Sequence, residues 1–433
     1  MTLLVMLLRR LFPSAALVLV GHNGRRFPIG NTGEVAIVVR LTSRWLPWRI
    51  LFDPPLGMGE AYIHGKLILE RGTLPELMNV ITSSDGLAHR VAETGLTNII
   101  ETLRRVSRRW FQFNTRSRSR RAIALHYDLP FELFKLLLDQ ENAQYSCAYF
   151  TKESEGLEEA QRRKVARVAA KMLFRDGQSV LEIGCGWGGL SRALAKLHDI
   201  RIRAVSLSHE QVELAKSLAQ DEQIDSIDYV YQDYRDETGC FDRIVSVAMF
   251  EAVGLPYFRN YFETIARCLK DDGVAMVHTI GRLSGPGHTD TWTDKYIFPG
   301  GYSPALSEIV PHIEKSGLLL GDIEIWQDQY ATTIRAWRKN LASREDEIIE
   351  RFGIEVYRMF DFYLCAACTA FVHGDHAIFQ IQLVKSRGVL PIGRQYIDEE
   401  TDRLTEKLEK LHLKETAKKR PRSNSTTKKA QTT

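Results

Sequence analysis

The residues whose types and spacing could do chemistry begin with three glycines. Gly184, Gly186 and Gly189 follow a short apolar run in VLEIGCGWGG at 180–189, with the spacing G-x-G-x-x-G. Glycine at the first two positions lets the backbone turn tightly and approach a ligand, and the third lets a helix close on the preceding strand. Such loops cradle adenosine-containing cofactors. A nicotinamide cofactor calls for an acid on the ribose about 20 residues further on, but Ser206, Leu207 and Ser208 stand there. Glu182, two residues before the first glycine, is a feature of loops that hold S-adenosylmethionine, where the carboxylate orders the turn and meets the methionine end. These residues favour S-adenosylmethionine and, taken alone, leave the dinucleotide alternative open.

Other reactive residues carry less. Cys147, Cys185, Cys240, Cys268, Cys365 and Cys368 form no paired framework, a usage expected of a reducing compartment. Cys365 and Cys368 make a C-x-x-C inside the apolar FYLCAACTAF, without a second cysteine pair or a histidine pair nearby. They are read as a buried helix face, and no metal site is expected. Two basic clusters stand out. The stretch 104–121, RRVSRRWFQFNTRSRSRR, holds eight arginines among Trp110, Phe111 and Phe113. The tail 414–433 carries seven Lys/Arg against one Glu, so the net charge of +4 resides there and the rest of the chain is slightly acidic. The tail lacks large apolar residues and is expected to be disordered. Basic residues mixed with aromatics suit an anionic membrane surface or a nucleic acid, and a solvated linker is the plainer alternative.

The elements that must position the glycine loop can be read from pattern. With 433 residues, 44% hydrophobic and 26% charged, the chain is expected to be globular with two domains. MTLLVMLLRRLFPSAALVLV at the start has Arg9, Arg10 and Pro13 between short apolar runs. Neither a spanning helix nor a secretion signal is expected, and a helix packed on its own domain is favoured over one seeking a membrane surface. Residues 1–103 read as a small α+β module and 104–121 as an arginine-rich linker. From 122 to 395 helices and strands alternate: a helix at EEAQRRKVARVAAKMLF, then strands at SVLEIG, IRAVSLS, IDYVYQD, DRIVSVAMF and GVAMVHTIG with helices between. That order predicts βαβ units in a doubly wound α/β sheet, with ligands beyond the carboxyl ends of the strands. A C-terminal helix and the basic tail occupy 396–433.

A longer series of motifs carries a resemblance. HYDL at 126, YSCAYF at 145, VLEIGCGWGGL at 180, LSHEQ at 207, QDYRD at 232, FDRIVSVAMFEAVG at 241, HTIG at 278, FPGGYSPALSEI at 298, YATTIRAW at 330 and FYLCAACTAF at 362 occur in one order. Together they resemble the cyclopropane-fatty-acyl-phospholipid synthases, a family that includes the mycolic acid cyclopropane synthases, over roughly 120–390. LGMGEAYIHG resembles the family's N-terminal module. The resemblance implies a Rossmann-like methyltransferase domain and methyl transfer from S-adenosylmethionine to a cis double bond of a phospholipid acyl chain. A bound bicarbonate then takes a proton and a cyclopropane ring closes.

Carried over residue by residue, the resemblance places bicarbonate among the side chains of Glu251, His278 and Tyr330 and the backbone of Cys147 and Ile280. It assigns cofactor contacts to Tyr145, Ser146, Gly184, Gly186, Ser208, Gln211, Gln232, Asp233 and Tyr234, with Gln211 in the ribose role. Phe131, Phe134, Phe150, Phe298 and Tyr302 are expected to receive the acyl chain, or else to be ordinary core. Two positions depart from the family pattern. Ala252 stands where the family usually has His, and Ala367 where it usually has Cys; Cys368, one step of about 100° further round the helix, is the candidate catalytic cysteine, given a local shift. A related lipid methyltransferase giving a methyl-branched product, or a lipid-binding protein without turnover, are the rival readings. The implied setting is cytoplasmic and peripheral to the inner membrane surface. Anionic lipid would be met by the basic segments, no nucleic acid partner is expected, and a homodimer is left open.

Overall fold

The computed structural model describes residues 1–30, 37–82, 130–152 and 154–419. The arginine-rich stretch 104–121, the HYDL motif at 126–129 and the tail beyond Lys419 lie outside these residues. The N-terminal part runs α1 (Thr2–Leu11), β1 (Leu17–Val20), β2 (Arg26–Ile29), β3 (Ile37–Leu41), α2 (Leu46–Phe52), α3 (Pro54–Ile63), β4 (Leu67–Arg71) and α4 (Leu74–Thr82). Its four strands form one sheet in the order β2-β1-β3-β4. Helix α1 buries Leu4, Val5 and Leu11 and exposes Leu3 and Met6. No described helix is long and apolar enough to cross a membrane.

The larger part continues with α5 (Phe131–Leu137), α6 (Leu157–Met172), β5 (Ser179–Ile183), α7 (Gly189–Leu197), β6 (Arg201–Ser206), α8 (His209–Asp221), β7 (Ile227–Tyr231), β8 (Phe241–Val247), α9 (Phe258–Cys268) and β9 (Leu269–Arg282). It ends with α10 (Thr291–Tyr296), α11 (Leu306–Ser316), β10 (Leu319–Trp326), α12 (Gln329–Ser343), α13 (Glu345–Phe352), α14 (Ile354–Val372), β11 (His376–Val384) and α15 (Gln395–Lys419). Seven strands make the central sheet, in the order β10-β11-β9-β8-β5-β6-β7. The five strands expected from sequence are β5 to β9, and they are mutually parallel, as a doubly wound α/β fold requires. Val180, Leu181 and Ile183 of β5 are all buried because helices cover both faces of the sheet.

Three details differ from the sequence reading. Strands β10 and β11 are additional, and β11 is inserted antiparallel between β9 and β10. Gln380 and Gln382 interrupt the apolar alternation of β11, yet both are buried because Lys171 and Tyr396 give them partners. Pairing with β11 also carries β9 to Arg282, one residue beyond the strand read from GVAMVHTIG, with His278 inside it. Finally, α15 reaches Lys419, so the first six residues of the stretch expected to be disordered are helical. Leu404 and Leu408 anchor this helix on α6, in the cluster that holds Val165 and Val168.

One apolar cluster spans both parts of the chain, joining Leu4, Ile37 and Leu74 to Trp292, Trp337 and Phe362. Polar contacts reinforce it: the Tyr62 hydroxyl donates to Asp361 at 2.7 Å, Thr291 to Asp53 at 2.7 Å, and Lys295 to Glu60 at 2.7 Å.

Candidate functional site

A cavity of about 300 Å³ opens beyond the carboxyl ends of β5, β6, β8 and β9. The loop after β5 forms one wall. Gly184 (φ +84°) and Gly186 (φ +53°) take the left-handed conformation that side chains resist. A Cβ at 184 would lie 2.6 Å from Met249, whereas one at 186 would meet nothing within 4 Å. The backbone at 186 is therefore bare toward the cavity it lines. Gly189 has a different role from the one expected. Its Cβ would lie 2.2 Å from the Asn142 carbonyl oxygen, so the third glycine admits the 139–146 segment and not the strand.

Tyr145, Ser146, Gly184, Gly186, Gln211, Gln232 and Tyr234 all line the cavity. Gln211 is the most suggestive. Its Oε1 accepts from the Ser206 hydroxyl at 3.0 Å, while its amide Nε2 is buried without a partner among the described residues. Gln232 is held by Arg203 at 3.0 Å and reaches Glu237 at 3.3 Å. Ser208 and Asp233 are outside the lining. Ser208 caps α8, its hydroxyl accepting from Gln211 N at 3.2 Å. The Asp233 carboxylate is engaged by the Arg235 guanidinium at 2.8 and 2.6 Å. Each accepts from a local backbone N–H, Ser208 from Gln211 and Asp233 from Arg235.

A second group gathers on the turn after β8, on β9 and on α12. Glu251 sits in a single 3-10 turn after β8, and its Oε1 accepts from the Ile280 backbone N–H at 2.6 Å. Its second oxygen, Oε2, is buried without a partner among the described residues. Burial raises this carboxyl to about 7, against the lowering pull of the Ile280 N–H. Glu251, Ile280 and Tyr330 line the cavity. His278 shares a face of β9 with Ile280, two residues away, but lies deeper and outside the lining. Its Nδ1 meets Gln380 Nε2 at 3.0 Å and its Nε2 is buried without a partner among the described residues. Cys147 is also buried outside the lining, its thiol 3.2 Å from the Ala148 carbonyl and 3.9 Å from the Thr333 hydroxyl. Cys368 is apart from this group, half-buried on α14 with its thiol 3.9 Å from the Ala331 carbonyl. Of the five aromatics expected to receive an acyl chain, Phe298 and Tyr302 line the cavity. Phe131, Phe134 and Phe150 do not; the first two pack on Trp187, which itself lines it.

The chain matches the family model described as mycolic acid cyclopropane synthetase over residues 114–381. It belongs to that family. The cyclopropane-fatty-acyl-phospholipid synthase of Escherichia coli K12 is 35% identical over 371 residues, covering 84% of this chain and 91% of that protein. The tuberculostearic acid methyltransferase UfaA1 of Mycobacterium tuberculosis is 33% identical, covering 76% and 79%. Among solved structures, the cyclopropane synthase MmaA2 from M. tuberculosis aligns with TM-score 0.57 at 28% identity, covering 61% of this chain and 97% of that one. Mycolic acid cyclopropane synthase CmaA1 complexed with SAH and CTAB aligns with TM-score 0.58 at 26% identity, covering 61% and 97%.

This chain is therefore an S-adenosylmethionine-dependent methyltransferase with a Rossmann-like fold. Its residues fit that cofactor: the bare backbone at Gly186 and, both buried without a partner among the described residues, the Gln211 amide nitrogen and Glu182 Oε2 in the lining. Burial raises Glu182 to about 7, opposed by the Ser191 hydroxyl, Lys164 and Arg192. Sequence reasoning missed Lys164. This fully buried lysine of α6 lines the cavity, donates to Ser146 Oγ at 3.0 Å, and also bonds Gln144 Oε1. Burial pushes it down to about 8, against Asp139, Cys147 and Glu182. The available signal was spacing: Leu157, Gln161, Lys164, Val168 and Lys171 repeat at three and four residues, so two lysines share a stripe with apolar residues.

Proposed function

We propose that this chain methylates the cis double bond of an unsaturated phospholipid acyl chain and closes a cyclopropane ring, with bicarbonate as the proton acceptor. The observation that carries the reading is that Glu251 Oε2 and His278 Nε2 are both buried without a hydrogen-bond partner among the described residues. A buried polar atom without a partner costs free energy unless a ligand completes it. An acceptor on one side and an imidazole nitrogen on the other suit a small anion that also carries a hydroxyl. Tyr330, the backbone at Ile280 and the backbone at Cys147 would complete the cage, and Cys368 has no part in it.

Gly184, Gly186, Tyr145, Ser146, Gln211, Gln232 and Tyr234 would hold S-adenosylmethionine directly, with Ser208 and Asp233 bracing the loops behind them. When bound, that cofactor supplies an electrophilic methyl. Phe298, Tyr302, Met249 and Val253 offer the acyl chain an apolar wall. Their contribution is alignment, since an alkene is a weak nucleophile and much of the barrier is met by positioning. The similarity to a phospholipid synthase supports a phospholipid as substrate, and the basic segments support docking at an anionic membrane surface.

Ala252 favours a second reading. It lines the cavity where the family usually has His, so the space around the reacting carbons differs. A methyl-branched product is the alternative, and the similarity to UfaA1, named as a methyltransferase, is compatible with it. One experiment separates the two. The chain is expressed in cells with monounsaturated phospholipids and their fatty-acid methyl esters are analysed. A gain of one CH2 that resists hydrogenation means a ring, and a gain that still takes up hydrogen means a branched, unsaturated product. Unchanged fatty acids would overturn both.

A further inference from the structure

His278, Gln380 and Glu324 stand in one row across three strands: Gln380 pairs in register with His278 of β9 on one side and with Glu324 of β10 on the other. Lys171 of α6 lies over the row. Its ammonium donates to Gln380 Oε1 at 2.5 Å and also to Glu324 Oε2. Arg167 anchors the far end, its guanidinium on the Glu324 carboxylate at 2.6, 2.9 and 3.1 Å. All of these side chains except the partly exposed Glu324 are at least nine-tenths buried.

The direction of this row follows from donor inventory alone. An ammonium has only hydrogens to offer, so the amide oxygen of Gln380 must face Lys171. The amide nitrogen must then face His278 Nδ1, 3.0 Å away. An amide NH2 only donates, so Nδ1 must present its lone pair. In a neutral imidazole the single proton is then on Nε2, the atom buried without a partner at the proposed anion site. Neutrality is favoured as well. Burial, then the charges of Lys164 and Lys171, hold His278 far below its ordinary range, with Glu324 opposing. Trp326 packs edge-on to the ring at 5.4 Å.

We infer that Gln380, oriented by Lys171, is a positioning residue that locks His278 as the neutral Nε2–H tautomer, with its hydrogen directed at the reaction site. His278 is thus a fixed hydrogen-bond donor there and takes up no proton at Nε2. What that hydrogen meets rests on the function proposed above; the tautomer does not. Lys171, Glu324 and Arg167 act through Gln380; Arg167 also meets Asp398 at 2.8 Å, so two positive and two negative side chains make up the supporting network.

The test reads the tautomer directly. Full-length protein labelled with 15N-histidine gives two-bond proton–nitrogen correlations, and His278 is assigned by its loss in His278→Gln. The expected pattern is a protonated Nε2 and a bare Nδ1 throughout the neutral pH range. A protonated Nδ1, or an imidazolium at neutral pH, would overturn the inference. Gln380→Glu keeps an oxygen for Lys171 but turns a second oxygen toward Nδ1, which draws the proton there and lets the ring titrate near neutrality. Its turnover should fall about tenfold or more, as losses of supporting residues commonly do, with S-adenosylhomocysteine affinity unchanged. A switched tautomer with wild-type turnover would overturn the positioning role. If no lipid product is found at all, the function proposed above fails while the resting wild-type spectrum still decides the tautomer.

Discussion

At the scale of single residues, Glu251 is a carboxyl whose ionisation the fold penalises. Its value near 7 is above the ordinary range, so between roughly pH 4.5 and 7 the native state binds more protons than the unfolded chain. Stability from this group is present at low pH and lost as pH rises through about 7. Glu251→Gln keeps the shape and removes the ionisable group. It should therefore melt higher than wild type near pH 8, with the difference closing toward pH 5. The same variant should lose turnover by about a hundredfold, the scale of one lost positioned contact, while still binding S-adenosylhomocysteine. Tyr330→Phe should behave alike in kinetics, and wild-type turnover in either would show that the cage is misassigned. Cys368 gives the opposite expectation. Burial raises its thiol above the ordinary range, and it stands outside the cavity lining. Cys368→Ala should keep most activity; a hundredfold loss with an intact circular dichroism spectrum would contradict this placement.

At the scale of elements, the site depends on a helix from the other end of the chain. Gly59 of α3 is packed against Trp292 of α10, and a Cβ there would lie 2.3 Å from the indole. Trp292 is fully buried, and its neighbour Thr293 lines the cavity. Gly59→Val forces the indole aside, at a cost of about 1–3 kcal/mol for an overpacked contact. The displacement reaches α10 and not the glycine loop. The lipid KM should therefore rise while the S-adenosylhomocysteine Kd stays near wild type, and melting temperature should drop. Unaltered melting and KM would show that α3 does not brace the site.

At the scale of the whole molecule, charge is distributed unevenly. The described helix α15 ends at Lys419, and Arg420, Arg422, Lys428 and Lys429 follow it. Each basic residue near an anionic leaflet contributes about 1 kcal/mol at most, and salt screens it. Deleting 420–433 leaves α15 and its anchors Leu404 and Leu408 in place. The truncated chain should sediment less with anionic vesicles at low salt and turn over detergent-dispersed lipid as before. Equal vesicle binding with and without the segment would remove the tail from membrane capture.

The primary structure by itself determined what is local or periodic. The strands β5 to β9 were legible because parallel strands covered on both faces are apolar runs, and the helices between them repeat at 3.6 residues. The glycine loop, Glu182 and the missing acid at 206–208 pointed to the cofactor because loop chemistry depends on residues adjacent in sequence. Only the tertiary structure decided which polar residues are buried and what they meet. Lys164 and Lys171 look like solvent-facing members of a charged helix until α15 and the sheet enclose it. Gln380 looks like a break in a strand until β11 is set between His278 and Glu324. Asp233 and Ser208 read as cofactor contacts, and their protein partners, Arg235 and the Gln211 N–H, came only from the fold. Spacing put the two lysines on an apolar stripe, but their partners are non-local, because desolvation and hydrogen-bond partners come from elements far apart in the chain.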